Sequence, residues 1–383
     1  MPISFALAPE QEELRLTVRQ FARDKVAPRA AEMNEKGEFP TDLVLEMGRM
    51  GLFGLPFPEE YGGMGGDYLS LCLAIEEIGR VDQSLGATLE AAVSLGAMPI
   101  WRFGTETQKR RWLPPLAAGE QIAGFGLTEA GSGSDARALR THARRDGDEW
   151  IIDGSKQFIT NAGTEISAFV TIAAVTGDSP QEITNFVVPT GTAGYVIGHN
   201  YRKVGWHASD TRGLAFNSVR VPLDHQLGEQ GRGFANFMSI LDEGRIAIAA
   251  LATGSIQACV DECLRYALER EAFGKPIGGY QGIAFKIADM EAQAELARHA
   301  YYHAAWLMME GKPFKRAASI AKLYSTEAAV TAAREACQVF GGYGFMTESL
   351  VGRLYQDAKV LEIGEGTSEV QRMLIARELG LPC

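Results

Sequence analysis

The stretch Asp146-Gly147-Asp148-Glu149-Trp150-Ile151-Ile152-Asp153-Gly154-Ser155-Lys156-Gln157-Phe158-Ile159-Thr160 decides the fold, because its rhythm differs from that of the chain on either side. Asp146-Gly147 and Asp153-Gly154 are strong turn signals, and each precedes a short run rich in aromatic and β-branched residues. Such runs read as strands. The same two-residue periodicity extends between about residues 119 and 233, where further strands fit 168–174, 185–188 and 214–221.

Outward from this centre the period changes to that of helices. Toward the N-terminus, Leu14, Val18, Phe21, Ala22 and Val26 share one face of a helix that begins near Pro9. Leu69, Leu71, Cys72, Ile75 and Ile78 form a second apolar face, and a third helical segment spans 82–96, with glycine-rich loops such as 61–67 between them. Toward the C-terminus, from Phe234 onward, long helical runs are interrupted only at Gly274-Lys275-Pro276, Gly311-Lys312-Pro313 and Gly341-Gly342. Breaks this short favour an antiparallel bundle. The expected fold is α+β: an N-terminal α-helical domain (1–120), a middle β-barrel or sandwich domain (121–233) and a C-terminal four-helix bundle (234–383).

The 383 residues are 46% hydrophobic and 22% charged, a composition that suits a soluble globular protein of two or three domains. A net charge of −11, with no basic run to offset it, opposes nucleic-acid binding, which depends on neutralising phosphates with Lys and Arg. Met1-Pro2-Ile3-Ser4 lacks the charged-then-apolar pattern of a secretory signal, and no uninterrupted apolar stretch is long enough to cross a bilayer, so a cytoplasmic location is expected. Cys72, Cys259, Cys263, Cys337 and Cys383 are an odd number of thiols in a long chain and are read as reduced. Cys259 with Cys263, and His299 with His303, have one-turn helical spacing, but neither pair completes a ligand set; both are read as structural, and no metal is expected.

Two motifs carry chemistry. In Leu361-Glu362-Ile363-Gly364-Glu365-Gly366-Thr367-Ser368-Glu369 a carboxylate stands between two glycines just before an amphipathic helix. Read locally this is a helix start, with Thr367 or Ser368 as the cap and Glu365 in water; equally, the glycines allow a substrate to approach the carboxylate from both sides, as a base requires. In Phe125-Gly126-Leu127-Thr128-Glu129-Ala130-Gly131-Ser132-Gly133-Ser134-Asp135 a strand-like stretch enters a loop of small and hydroxyl residues. Its backbone amides and hydroxyls suit a planar or anionic ligand, or form a plain turn; the Gly-x-Gly-x-x-Gly spacing of a dinucleotide fold is absent.

Together these runs resemble signatures of the acyl-CoA dehydrogenase family of flavoproteins. Two further blocks agree: Gln338-Val339-Phe340-Gly341-Gly342-Tyr343-Gly344-Phe345, followed by Glu348, Arg353 and Asp357, and Arg270-Glu271-Ala272-Phe273-Gly274-Lys275-Pro276, with Gln281 beyond. The resemblance is collinear from Glu59-Glu60-Tyr61-Gly62-Gly63 to the final helix. It implies an FAD enzyme that converts an acyl-CoA to the trans-2-enoyl-CoA and passes electrons to an electron-transferring flavoprotein, assembled as a homotetramer. The base aligns with Glu365, whose backbone N–H would also hold the thioester oxygen; such donors are worth a few kcal/mol each where charge develops. Enclosure should raise the carboxyl pKa toward neutrality. Some relatives carry the base at the position of Gly244, where glycine cannot serve; Glu243, one residue off register, is read as a solvated or structural carboxylate.

The resemblance assigns the cofactor residues in two groups. Phe125, Leu127, Thr128, Gly133, Ser134, Phe158 and Thr160 would meet the FAD of their own subunit, with Thr367 and Glu369 beside the base. Phe158 stands where the family often has tryptophan, which keeps an aromatic face and loses an indole N–H. Arg270, Phe273, Gln281, Gln338, Gly341 and Gly342 would reach the FAD of a neighbouring subunit, Arg270 as a pyrophosphate clamp. For the substrate, Ser134, Asp242 and Arg245 match positions on the CoA portion, although Arg245 also reads as a helix-surface ion-pair residue. Gly366 would lie against the thioester.

Gly364 holds a position that is often tyrosine in straight-chain enzymes and glycine in isovaleryl-type enzymes, so short or medium acyl groups, straight or branched, are candidates. Residues 82–96 contain no arginine of the kind that pairs a second carboxylate, which disfavours dicarboxyl substrates; the direction of Glu90 in that segment is not legible. Two competing readings use the same fold: an oxygen-using oxidase or monooxygenase, and a non-catalytic nucleic-acid-associated flavoprotein, against which the acidic balance argues.

Overall fold

The computed structural model describes residues 6–177, 179 and 182–382. Met1-Pro2-Ile3-Ser4 and Cys383 lie outside the described residues. The N-terminal part is helical: α1 (Pro9–Phe21), α2 (Ala27–Lys36), α3 (Thr41–Arg49), α4 (Tyr68–Gly79), α5 (Gln83–Glu90), α6 (Met98–Phe103) and α7 (Glu106–Ala117). Local chemistry starts these helices. The Asp67 carboxylate accepts the Ser70 N–H at 2.7 Å, Asp82 accepts from Leu85 at 2.8 Å, and Thr105 and Gln108 exchange bonds in a capping box. The segment expected over 82–96 runs further, because α5 continues through a π-helical stretch, Ala91–Ala97, into α6. Val18, Leu71, Ile75 and Ile78 are all fully buried, as their spacing requires.

Among the described residues eight strands follow: β1 (Ile122–Gly126), β2 (His142–Asp146), β3 (Glu149–Thr160), β4 (Ser167–Val175), β5 (Ile183–Pro189), β6 (Tyr195–Asn200), β7 (Thr211–Pro222) and β8 (Gln226–Leu227). They lie in the order β6-β7-β3-β2-β4-β5-β8, with β1 added in parallel to β4. β2 and β4 are paired in parallel at His142 and Val175. One core takes Trp150, Ile152, Leu214 and Phe216 from β3 and β7 together with Ile172, Phe186 and Val188 from β4 and β5, which makes this a two-faced β unit.

Asp146-Gly147 makes the expected turn between β2 and β3. Asp153-Gly154 does not. β3 runs unbroken through it, with a register shift against β7 between Ile152 and Gly154, and Gly154 takes φ +148° with no room for a Cβ beside Thr141. Here glycine marks a bulge rather than a hairpin, because another backbone approaches closely.

The C-terminal part contains α8 (Gly233–Glu269), the short hairpin β9 (Glu271–Ala272) and β10 (Lys275–Pro276), α9 (Gln281–Met309), α10 (Lys315–Phe340), α11 (Leu350–Leu361) and α12 (Ser368–Glu378). α8 packs on α9, α10 and α11 and also on α4, joining the bundle to the N-terminal helices. By length and composition α8 is apolar enough to cross a membrane, contrary to the expectation for the chain, but 83% of its apolar window is buried inside the fold. It is the core helix of the bundle.

Candidate active site

Glu365 lies in the turn between α11 and α12, with φ +54°, a left-handed conformation that disfavours side chains. Gly366 follows at φ +95°, and Thr367 caps α12 by accepting the Val370 N–H at 3.3 Å. The capping role read from the sequence is therefore present. The solvated role for Glu365 is not: the residue is half-buried, and its Oε2 is buried with no hydrogen-bond partner among the described residues.

The glycine opposite explains the room. A Cβ on Gly244 of α8 would stand 2.5 Å from Glu365 Oε2 and 3.4 Å from Leu95 Cδ2, so the carboxylate fills the space a side chain would take. The second wall is Glu90 at the end of α5, which is buried and faces the Glu365 carboxylate closely enough for each to shift the other. Two carboxylates are both acceptors, so a hydrogen bond between them requires a proton on one of them. Burial, and then the facing Glu365 charge, push Glu90 well above the carboxylate range, which favours its neutral form. Burial pushes Glu365 up to about 7, while the bond from Glu90 and the charges of Lys322 and Arg245 restrain the rise.

Sequence reasoning left the direction of Glu90 open and missed Lys322. Each is a lone charge in a run of apolar or small residues, Leu89-Glu90-Ala91-Ala92 and Ile320-Ala321-Lys322-Leu323, and that isolation was the available signal. Glu243 is structural, as expected, but not solvated: Arg102 holds it at 2.9 and 3.0 Å, and it is buried. Arg245 pairs with Asp242, yet it is buried rather than on a helix surface, and its Nε has no partner. Gly364 leaves open space, since a Cβ there would touch only the Val360 carbonyl, at 3.5 Å.

The glycine-rich loop leaving β1 runs beside β3. Lys156, fully buried, donates to Glu129 Oε1 at 2.8 Å and to the Leu127 carbonyl at 3.1 Å, and the Gln157 N–H donates to the Thr128 carbonyl at 2.9 Å. The Glu129 carboxylate also accepts the N–H groups of Arg140 and Thr141, at 2.7 and 3.0 Å. These bonds align Leu127 and Thr128 with Phe158 and Thr160. A register shift between Lys156 and Ile159 and a φ of +61° turn the Phe158 ring outward, where it is 66% exposed. The hydroxyls of Thr128 and Thr160 have no protein partner among the described residues. Phe125 is instead packed against Phe237, with ring centroids 4.1 Å apart. Gly133 and Ser134 are exposed, and a Cβ on Gly131 or Gly133 would meet nothing within 4 Å. An exposed aromatic face, free hydroxyls and an open glycine loop fit a flat, hydrogen-bonding ligand.

The second cofactor group lies elsewhere. Arg270 and Phe273 sit just beyond the far end of α8, roughly 38 Å from Gly244 at 1.5 Å per residue. With Gly341 and Gly342 they line a cleft of about 850 Å³, and Gln281 and Gln338 are exposed nearby. One chain therefore does not bring the two groups together.

The four cysteines among the described residues are free, and burial pushes the thiols of Cys259 and Cys263 up. His303 stacks on Trp306.

Family models match along the chain: "Acyl-CoA dehydrogenase, N-terminal domain" over residues 8–120, the middle domain over 124–219 and the C-terminal domain over 231–380. The probable acyl-CoA dehydrogenase YngJ of Bacillus subtilis is 47% identical over 380 residues, 98% of this chain and 100% of that protein. The solved butyryl-CoA dehydrogenase from Megasphaera elsdenii superposes with a TM-score of 0.96 at 41% identity, covering 99% of this chain and 100% of that one. A chain solved in work on the electron-transferring flavoprotein of Acidaminococcus fermentans and flavin-based electron bifurcation has a TM-score of 0.96 at 40% identity, over 98% of this chain and 99% of that one.

Proposed function

The chain belongs to the acyl-CoA dehydrogenase family of FAD-dependent oxidoreductases, and from that premise we propose that Glu365 is the base for a short-chain acyl-CoA, straight or modestly branched. The observation that carries the reading is the enclosed Glu365 carboxylate, set against Gly244 and held near neutrality. A base held near 7 is partly ionised around neutral pH and strong enough to take a weakly acidic proton. Glu365 removes the proton on the carbon next to the thioester carbonyl, and the electron pair left behind becomes the Cα–Cβ double bond as a hydride leaves Cβ. FAD, when bound, supplies the acceptor for that hydride.

This chain's residues do the rest. The Glu365 N–H polarises the thioester oxygen, and Glu90 keeps the base desolvated. Asp242, Arg245 and Ser134 orient the CoA portion, Gly366 lies against the thioester, and Gly364 leaves room at the reacting carbons. Leu127, Thr128, Gly133, Ser134, Phe158 and Thr160 would hold the ring and its chain, with Phe125 behind them and Thr367 and Glu369 beside the base. Arg270, Phe273, Gln281, Gln338, Gly341 and Gly342 would complete the FAD site of a second copy, which their distance from Gly244 and their exposure support. A cytoplasmic homotetramer feeding an electron-transferring flavoprotein fits this arrangement, and the relative from Acidaminococcus fermentans supports that acceptor.

The test is anaerobic mixing of the purified holoenzyme with butyryl-, isobutyryl- and isovaleryl-CoA while flavin absorbance is followed. Bleaching by at least one thioester is expected, slowed about 100-fold or more in Glu365→Gln with FAD retained. An undiminished rate in that variant removes Glu365 as the base.

A further inference from the structure

Lys322 is a buried charge that the proposed reaction does not use. It sits in the third turn of α10 among Ala318, Ser319, Ala321, Ser325 and Thr326, with no exposed surface. Its ammonium donates to the Gly366 carbonyl at 2.8 Å, and it feels the Glu365 carboxylate through space rather than through a hydrogen bond. Burying an ammonium on a neutral carbonyl is costly, so a fold that keeps one there gains something in return.

The carbonyl it holds follows directly on Glu365. The Gly366 oxygen also accepts from Gln371 Nε2 at 2.9 Å, and the same amide reaches the Glu365 carbonyl at 3.4 Å. Gln371 is fully buried, and a Cβ on Gly366 would stand 2.8 Å from its Nε2, so only glycine lets the clamp close. Two successive carbonyls in a left-handed turn are thus fixed from α10 and α12. A residue at φ +54° does not hold that conformation by its own preference.

We propose that Lys322 is a positioning residue of the base: its ammonium pins the Gly366 carbonyl so that the Glu365 turn keeps its left-handed form with the carboxylate against Gly244. The inference rests on the reading of Glu365 as base. Lys322 also sets the field at that carboxylate. The charged and titratable groups facing Glu365 are Glu90 from α5, Arg245 from α8 and Lys322 from α10, with Asp242 paired to Arg245 and with Glu362 and Glu327 acting on Lys322. Removing the Lys322 cation therefore disfavours ionised Glu365.

Lys322→Met and Gln371→Leu holoenzymes are compared with the native one by anaerobic flavin bleaching across pH, by exchange of the acyl α-protons with D2O, by FAD content and by melting temperature. Lys322→Met should slow α-proton exchange about 10-fold or more and move the acid limb of the rate to higher pH. Gln371→Leu removes a donor and no charge, and should slow exchange with the limb unmoved. Native-like exchange and an unmoved limb in Lys322→Met overturn the proposal. If Lys322→Met does not fold, native-like exchange in Gln371→Leu overturns the clamp. Failure of the native enzyme to be bleached would instead count against the function itself.

Discussion

At the residue scale, the site is an arrangement of missing side chains and two facing carboxyl groups. Gly244 is specific to the base, because Glu365 Oε2 occupies its side-chain volume. Gly244→Ala should push the carboxylate aside and lower the bleaching rate about 10-fold or more with FAD bound, since displacements of about 1 Å cost up to 100-fold. The pH dependence follows from the burial that raises Glu365 to about 7. Proton removal needs the carboxylate, so the rate should rise with pH through a limb near 7. Burial favours the neutral form of Glu90, and a neutral Glu90 that donates to Glu365 favours the ionised base. In Glu90→Leu that donor is lost, and the limb should move to higher pH; a limb that stays or falls would contradict this role of Glu90.

At the element scale, β3 is the member that aligns the proposed flavin wall. Its Lys156 ties the loop 127–129 to the strand, and its Phe158 leaves the sheet through a register shift. Burial pulls Lys156 down to about 8, and Glu129 opposes that fall. Truncating one member of a buried pair leaves the other charge unpaired and costs about 3–5 kcal/mol. Lys156→Met should therefore lower the melting temperature by several degrees, and it should release FAD more readily than the Glu365 variant does, measured by flavin content after gel filtration. Equal FAD retention would separate the ion pair from the cofactor.

At the scale of the molecule, large apolar side chains are exposed beside the hairpin cleft and along α9. Phe273 is 97% exposed and Phe345 87%, with Tyr343 and Met346 beside them, while Phe285, Leu296 and Trp306 face outward on α9. Surface of this kind fits the assembly proposed above. Phe273→Glu should reduce the assembly mass seen by light scattering and lower FAD content in parallel, because the second cofactor group would lie on the same face. A monomeric native protein with full FAD would refute that arrangement.

The order of helices, strands and helices was written in the sequence, because periods of 3.6 and 2 residues report which faces must be buried regardless of what buries them. Strands β2 and β6 were not legible: His142-Ala143-Arg144-Arg145-Asp146 is nearly all polar, and Tyr195–Asn200 is interrupted by Gly198. Glu365, its flanking glycines and the loop after Phe125 were legible as motifs, since their chemistry depends on local residue types. That Glu365 is enclosed, that Glu90 and Lys322 face it, and that Asp153-Gly154 bulges instead of turning were decided by tertiary structure. Each depends on which distant backbone or charge arrives beside a residue, and contacts between α5, α8, α10 and the turn before α12 leave no period in any one segment.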